Sequence, residues 1–155
     1  MLVLYAGYPA ALEALRELLA GWPGRAARSR EGGPIRWRRR GAALCRRVYG
    51  PVYPRLLRTV RSLHPDLAVW MEEQGYGRVL ARPGLSVRVR ELVTVAVLVQ
   101  AGWERQLVSH LLGAGRVGAT PAEIRSAVGL GARDASVANR RIARRAWRTA
   151  FASPR

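Results

Sequence analysis

The chain has 155 residues, the length of one ordinary domain, and its 49% hydrophobic content excludes disorder throughout. A single cysteine, Cys45, excludes an intramolecular disulfide framework and a cysteine-rich metal site. The 27 basic residues, all arginine, stand against 10 acidic ones, for a net charge of +17. Residues 25–47 hold nine Arg against Glu31, and residues 133–155 hold seven against Asp134, so these two segments carry +14 of that charge. The first residues lack a basic leader region, and the longest apolar run, Leu92 to Ala101, is too short to cross a bilayer. A soluble, cytoplasmic protein without membrane contact is expected.

Pro9, after Gly7, suits the first position of a helix, and Leu12, Leu15, Leu18 and Leu19 share one face of a helix over 10–20. Gly21 to Pro34, with Gly24, Gly32 and Gly33, reads as a loop, part of a basic linker over 23–40. Short helices follow at 41–49, stopped by Gly50-Pro51, and at 54–63, stopped before Pro65. A helix over 65–75 is expected to bury Leu67, Trp70 and Met71, and 76–83 reads as an irregular connector.

Ser86 is a candidate N-cap for a helix over 87–101, broken by Gly102, and a second helix runs from Trp103 to about Val117. Thr120-Pro121-Ala122-Glu123 combines an N-cap, a proline at the first helical position and a reciprocal glutamate, so a third helix starts there and ends by Gly129 and Gly131. Asp134 or Ser136 caps a last helix reaching Phe151, with Val137, Ala143, Trp147 and Phe151 as its apolar side. No strand pair is evident, and the fold class is all-α.

Two polar residues fall on apolar faces. Glu91 shares a helical face with Thr94, Val95 and Leu98, and His110 with Leu107, Leu111 and Ala114. The helices meet at Gly102, so an antiparallel hairpin brings Glu91 and His110 level to within about 5 Å along the axis. A buried carboxyl facing an imidazole is a candidate acid–base pair; the same spacing also suits a structural buried pair.

Residues 76–128 resemble the carboxymuconolactone decarboxylase family, of the AhpD-like (alkylhydroperoxidase) superfamily. The pieces that carry this are Arg82-Pro83-Gly84-Leu85, Arg90-Glu91-Leu92, Gln106-Leu107-x-x-His110 and Gly118-x-Thr120-x-x-Glu123-Ile124. The upstream RGAALCRRVYG and LHPDLAVWMEEQGYG extend the likeness to residues 41–128. The resemblance implies an AhpD-like helical bundle forming a ring-like homo-oligomer, a trimer or hexamer. Redox members carry a Glu, a Cys-x-x-Cys and a His; the two Cys positions fall here on Trp103 and Gln106. Peroxide reduction by a dithiol needs an attacking thiolate and a resolving cysteine. The resemblance therefore points to the non-redox branch, acting on a small carboxylated lactone or related acid without a cofactor or metal. It implies His110 and Glu91 as catalytic residues, with Arg82, Arg90, Trp103, Gln106 and Tyr76 around the substrate. An alkylhydroperoxidase-like antioxidant protein is the alternative within the superfamily.

Tyr5-Ala6-Gly7-Tyr8-Pro9-Ala10-Ala11-Leu12-Glu13-Ala14 is similar to the segment that follows the family's Thr-x-x-Glu-Ile helix near the C-terminus. The order found here reads as a circular permutation: 1–22 would be the family's last helix, 41–128 the core, and 129–155 a basic C-terminal helix, all in one domain. Helix 9–20 should then pack beside the 87–117 hairpin, in its own subunit or a neighbour's, with Met1 near the end of helix 121–128. The arginine-rich segments, with Trp37 among them, also fit a nucleic-acid footprint or a scaffold without catalysis, but no nucleic-acid-binding motif accompanies them, so that partner is not favoured.

Overall fold

A computed structural model describes residues 1–22 and 32–152. It consists of α1 (Leu2–Gly21), α2 (Pro34–Tyr49), α3 (Tyr53–Leu63), α4 (Pro65–Trp70), a π-helical segment (Met71–Leu80), α5 (Val87–Ala101), α6 (Glu104–Arg116), α7 (Pro121–Arg133) and α8 (Val137–Phe151). A short 3-10 turn, Gly50–Val52, joins α2 to α3, and no strand occurs among the described residues. The fold is the expected all-α bundle.

The centre is the α5–α6 hairpin. Ser86 caps α5 through its hydroxyl, and Gly102 ends the helix in the left-handed region at φ 71°, which turns the chain back into α6. Both expected faces are buried: Val95, Leu98, Leu107, Leu111 and Ala114 are fully enclosed. Each large side chain so removed from water contributes on the order of 1.5–3 kcal/mol. α7 and α8 close this cluster with Ile124, Ala127, Ala143 and Ala146. The Asn139 side-chain amide of α8 donates to the Gln100 carbonyl at 2.6 Å, satisfying one of the orphan acceptors at the end of α5. The capping box at the start of α7 forms in both directions between Thr120 and Glu123.

A second cluster lies between α2 and the π-helical segment, around Leu44, Cys45, Val48, Tyr49, Tyr76 and Leu80. Gly41 and Gly77 let these two backbones touch: a methyl group at either would collide with a main-chain carbonyl across the interface, that of Glu72 or of Trp37. Arg116 of α6 donates to the Val48 carbonyl at 3.1 Å and ties the two clusters together.

Several boundaries differ from the sequence reading. The 23–40 linker is helical from Pro34, because Pro34 takes the first position of α2 and fixes its entry; residues 23–31 lie outside the described residues. The 76–83 connector is largely the π-helical segment, closed by Ala81 N donating to the Tyr76 carbonyl at 2.7 Å. α7 runs through Gly129 and Gly131 to Arg133; Gly131 is the close approach of α7 to the Ala96 backbone and not a stop. Leu67 and Trp70 are exposed, since α4 passes directly into the π-helical segment and the buried face shifts to Ala68 and Glu72. Val137 and Phe151 are exposed as well, and Ala143 and Ala146 form the inward side of α8.

α8 packs on the hairpin, mainly along α6. α1 reaches α5 near Tyr5, beyond which Gly7 (φ 76°) kinks it. From Tyr8 to Trp22 only Ala11 is partly covered, and Leu12, Leu15, Leu18 and Leu19 are 51–57% exposed. Met1 packs on the α2 cluster with Tyr76 and Leu80, rather than at the end of α7.

Candidate functional site

Glu91 sits on the second turn of α5 and His110 in the middle of α6. The antiparallel hairpin brings them level, and His110 Nδ1 lies 2.8 Å from Glu91 Oε2. Glu91 is 2% exposed and His110 4%. With the carboxylate accepting, the Nδ1 proton is held by Glu91, and Nε2 is the nitrogen left to exchange a proton. Gly113, one turn after His110, leaves room for this contact: a methyl there would come within 3.0 Å of Glu91 Oε2 and 2.7 Å of Val48 Cγ1.

Phenols surround the pair. The Tyr49 ring, from α2, meets the His110 ring edge-on with centroids 6.1 Å apart, and its hydroxyl bonds that of Tyr76. The Tyr5 hydroxyl, from α1, bonds Thr94 Oγ1 at 3.2 Å. Burial, reinforced by the nearby Glu91 charge, pushes the Tyr5 phenol up to about 12 and raises Tyr49 and Tyr76 as well. All three therefore stay neutral donors at ordinary pH. Deeper in the α2 cluster, the Tyr53 hydroxyl donates to the buried Glu72 carboxylate, which also faces Arg38 at 3.7 Å.

The expected substrate residues divide. Tyr76 is buried beside the pair, joined to Tyr49. Trp103 and Gln106 do not close over it: both are exposed, and they line an open groove of about 800 Å³ with Val108 and Thr149. Gln106 lies one turn before His110, on the outer side of α6, so the described residues do not form the enclosed pocket expected around all four residues. Arg82 is exposed on the turn before α5. Arg90, 3% exposed, does not present a free fork: it donates to the carbonyls of Arg82 (2.7 Å), Pro83 (3.1 Å) and Leu85 (3.1 Å), holding that turn against α5. Tyr5 and Tyr49 escaped the sequence reading. Tyr49 carried a signal, because it follows Cys45 by four residues and shares the buried face of α2.

Cys45 is fully buried, and burial together with the Glu72 and Glu91 charges pushes its thiol up, away from the reactive thiolate.

The sequence profile of the carboxymuconolactone decarboxylase family matches residues 65–149. The chain belongs to that family. The match begins at α4 and runs past residue 128 to take in nearly all of α8. Among individual proteins, the chain is similar to "Peroxisomal protein 2" of Schizosaccharomyces pombe, 32% identical over 126 residues, covering 78% of this chain and 59% of that one. It is also similar to a 4-carboxymuconolactone decarboxylase of Acinetobacter baylyi, 32% identical over 74 residues, covering 48% of this chain and 55% of that one. The chain thus spans between half and two thirds of the length of either relative. No helix among the described residues is long and apolar enough to cross a membrane.

Proposed function

We propose that the chain is a non-redox member of its family, removing a carboxyl group from a small carboxylated lactone or related acid with Glu91 and His110 as the acid–base pair. The observation that carries this reading is the buried 2.8 Å contact between Glu91 Oε2 and His110 Nδ1, enclosed by neutral phenols. In the proposed reaction the bond between the lactone carbon and its carboxylate breaks, carbon dioxide leaves, and the electron pair is held as an extended enolate. A protonated His110 delivers its Nε2 proton to that system, and Glu91 stabilises the imidazolium through Nδ1. Arg82, on the turn that Arg90 ties down, supplies a guanidinium for the substrate carboxylate. No cofactor enters this scheme. The peroxidase alternative is less well supported, because Trp103 and Gln106 stand at the dithiol positions and Cys45 is sealed.

The reading includes self-association in the cytoplasm. The leucine face of α1, more than half exposed at each of four leucines, is a larger apolar stripe than a solitary helix keeps in water, and a neighbouring subunit covers it.

Incubation of the purified chain with 4-carboxymuconolactone, following carbon dioxide release, tests the assignment. Turnover by the wild type that disappears in His110→Ala, with the variant still folded, supports it. Absence of turnover on this and related carboxylated lactones, or peroxide turnover with a dithiol that is lost in Cys45→Ser, overturns it.

A further inference from the structure

Away from the Glu91–His110 pair, α7 and α8 enclose a groove of about 820 Å³, within the range of about 300–1,000 Å³ usual for small-molecule sites. Its base is apolar: Val128 and Ala132 from α7, Ala143 and Trp147 from α8, all buried or half-buried. Its border is cationic, and no acidic residue lines it. Three of the lining arginines are already engaged: Arg145 with Glu104 at 2.8 Å, Arg140 with the Ala135 carbonyl, and Arg125 over the Trp147 ring at 5.5 Å. Arg141, Arg144 and Arg148 are exposed and form no ion pair with another of the described residues. They lie three and four residues apart on one face of α8, a row about 10 Å long. Like charges at this spacing repel and destabilise the helix, a repulsion that a bound anion would relieve.

We propose that this groove binds a single-chain anionic amphiphile, its phosphate or carboxylate on Arg144 and Arg148 and its alkyl chain along Val128, Ala132, Ala143 and Trp147. The two kinds of lining select the ligand. A hydrophilic anion leaves the apolar base in water, and a neutral apolar molecule leaves the guanidinium row unanswered. A nucleobase would need an open aromatic face, but Arg125 covers one face of Trp147, and Phe151 crowds its ring with centroids 4.6 Å apart. Arginine forks suit phosphate and carboxylate oxygens through paired hydrogen bonds.

The test is calorimetric titration of the full chain with dodecyl phosphate below its micellar concentration. The uncharged probe is dodecyl maltoside, also below its micellar concentration. Saturable one-to-one binding of dodecyl phosphate is expected, about tenfold weaker in Arg144→Gln/Arg148→Gln, which removes two charge-assisted contacts. Arg36→Gln/Arg38→Gln, in the other basic segment, should bind as the wild type does. The α8 variant loses like-charge repulsion and should melt no lower than wild type; the contrast between charged and uncharged probes on the wild type is independent of that variant. The proposal fails if dodecyl maltoside binds equally well, or if the α8 variant binds dodecyl phosphate undiminished. It fails too if single-stranded oligonucleotides or phosphatidylglycerol vesicles bind through the same arginines while dodecyl phosphate does not.

Discussion

Alanine at Gly41 or Gly77 should loosen the frame that carries Tyr49 and Tyr76. A Cβ at Gly41 would fall far inside 3.0 Å of the Glu72 carbonyl oxygen, and one at Gly77 nearly as close to that of Trp37. Main-chain oxygens have no rotamer to retreat to, so α2 and the π-helical segment must part by about 1 Å. A gap of roughly 0.5–1 Å forfeits a quarter to a half of each dispersion contact, and the interface includes Leu44, Cys45, Val48 and Leu80, all at or below 5% exposure. Overpacking costs about 1–3 kcal/mol, at its upper end when backbone must move, against a helix-propensity gain of at most about 1 kcal/mol. The expected net loss is about 2 kcal/mol per variant, roughly 4–8 °C in Tm for a chain of this size. The two positions serve one crossing, so the double variant should lose little more than the worse single one. Gly129→Ala, with nothing near its Cβ position, should hold or raise Tm. Thermal melts followed by circular dichroism read all four. Unchanged melting of Gly77→Ala would refute the close-contact account of this interface.

Arg90→Gln should lower stability by about 1.5–3 kcal/mol in chemical denaturation, because three carbonyls on the 82–85 turn lose the charged donor that ties them to α5; a normal stability with only a raised KM would make Arg90 a substrate ligand instead. The phenols predict alkaline lability: their folded values lie above the unfolded value of about 10, so their contribution is complete below that pH and fades as pH rises through the folded values. Tm should fall steeply above pH about 10, and less so in Tyr76→Phe. Ionisation of all the tyrosines near 10 in protein that is still folded would contradict this.

The hairpin was legible in the sequence because two independent signals agreed: the helical phase of Glu91 and His110, and a glycine at the one point where the chain must turn with positive φ. Other glycines misled the reading. Gly129 and Gly131 read as stops and Gly77 as part of a connector, yet Gly77 and Gly131 lie inside helices where a neighbouring backbone comes too close for a side chain. Local sequence carries no sign of that neighbour. Pro34 starts α2, although it read as the end of a glycine-rich loop, because Gly32, Gly33 and the arginines around it suit a linker. Trp103 and Gln106 were placed at the site by family spacing, whereas the exit direction of α6 from Gly102 leaves both in solvent. Arg90 looked like an anion ligand, and only the fold of the 82–85 turn shows where its donors go.

The most direct test of the acid–base assignment is kcat on 4-carboxymuconolactone for wild type, Glu91→Gln and Glu91→Leu/His110→Leu, each measured beside its melting temperature. A buried pair replaced on both sides by apolar groups of similar size is often neutral to stability, while loss of a general acid lowers kcat by about 10²–10⁴. The account predicts a double variant that melts within a few degrees of wild type and turns over at least a hundredfold more slowly, with Glu91→Gln impaired as well. A double variant that keeps wild-type kcat would contradict it and leave Glu91 and His110 as structural members of the core.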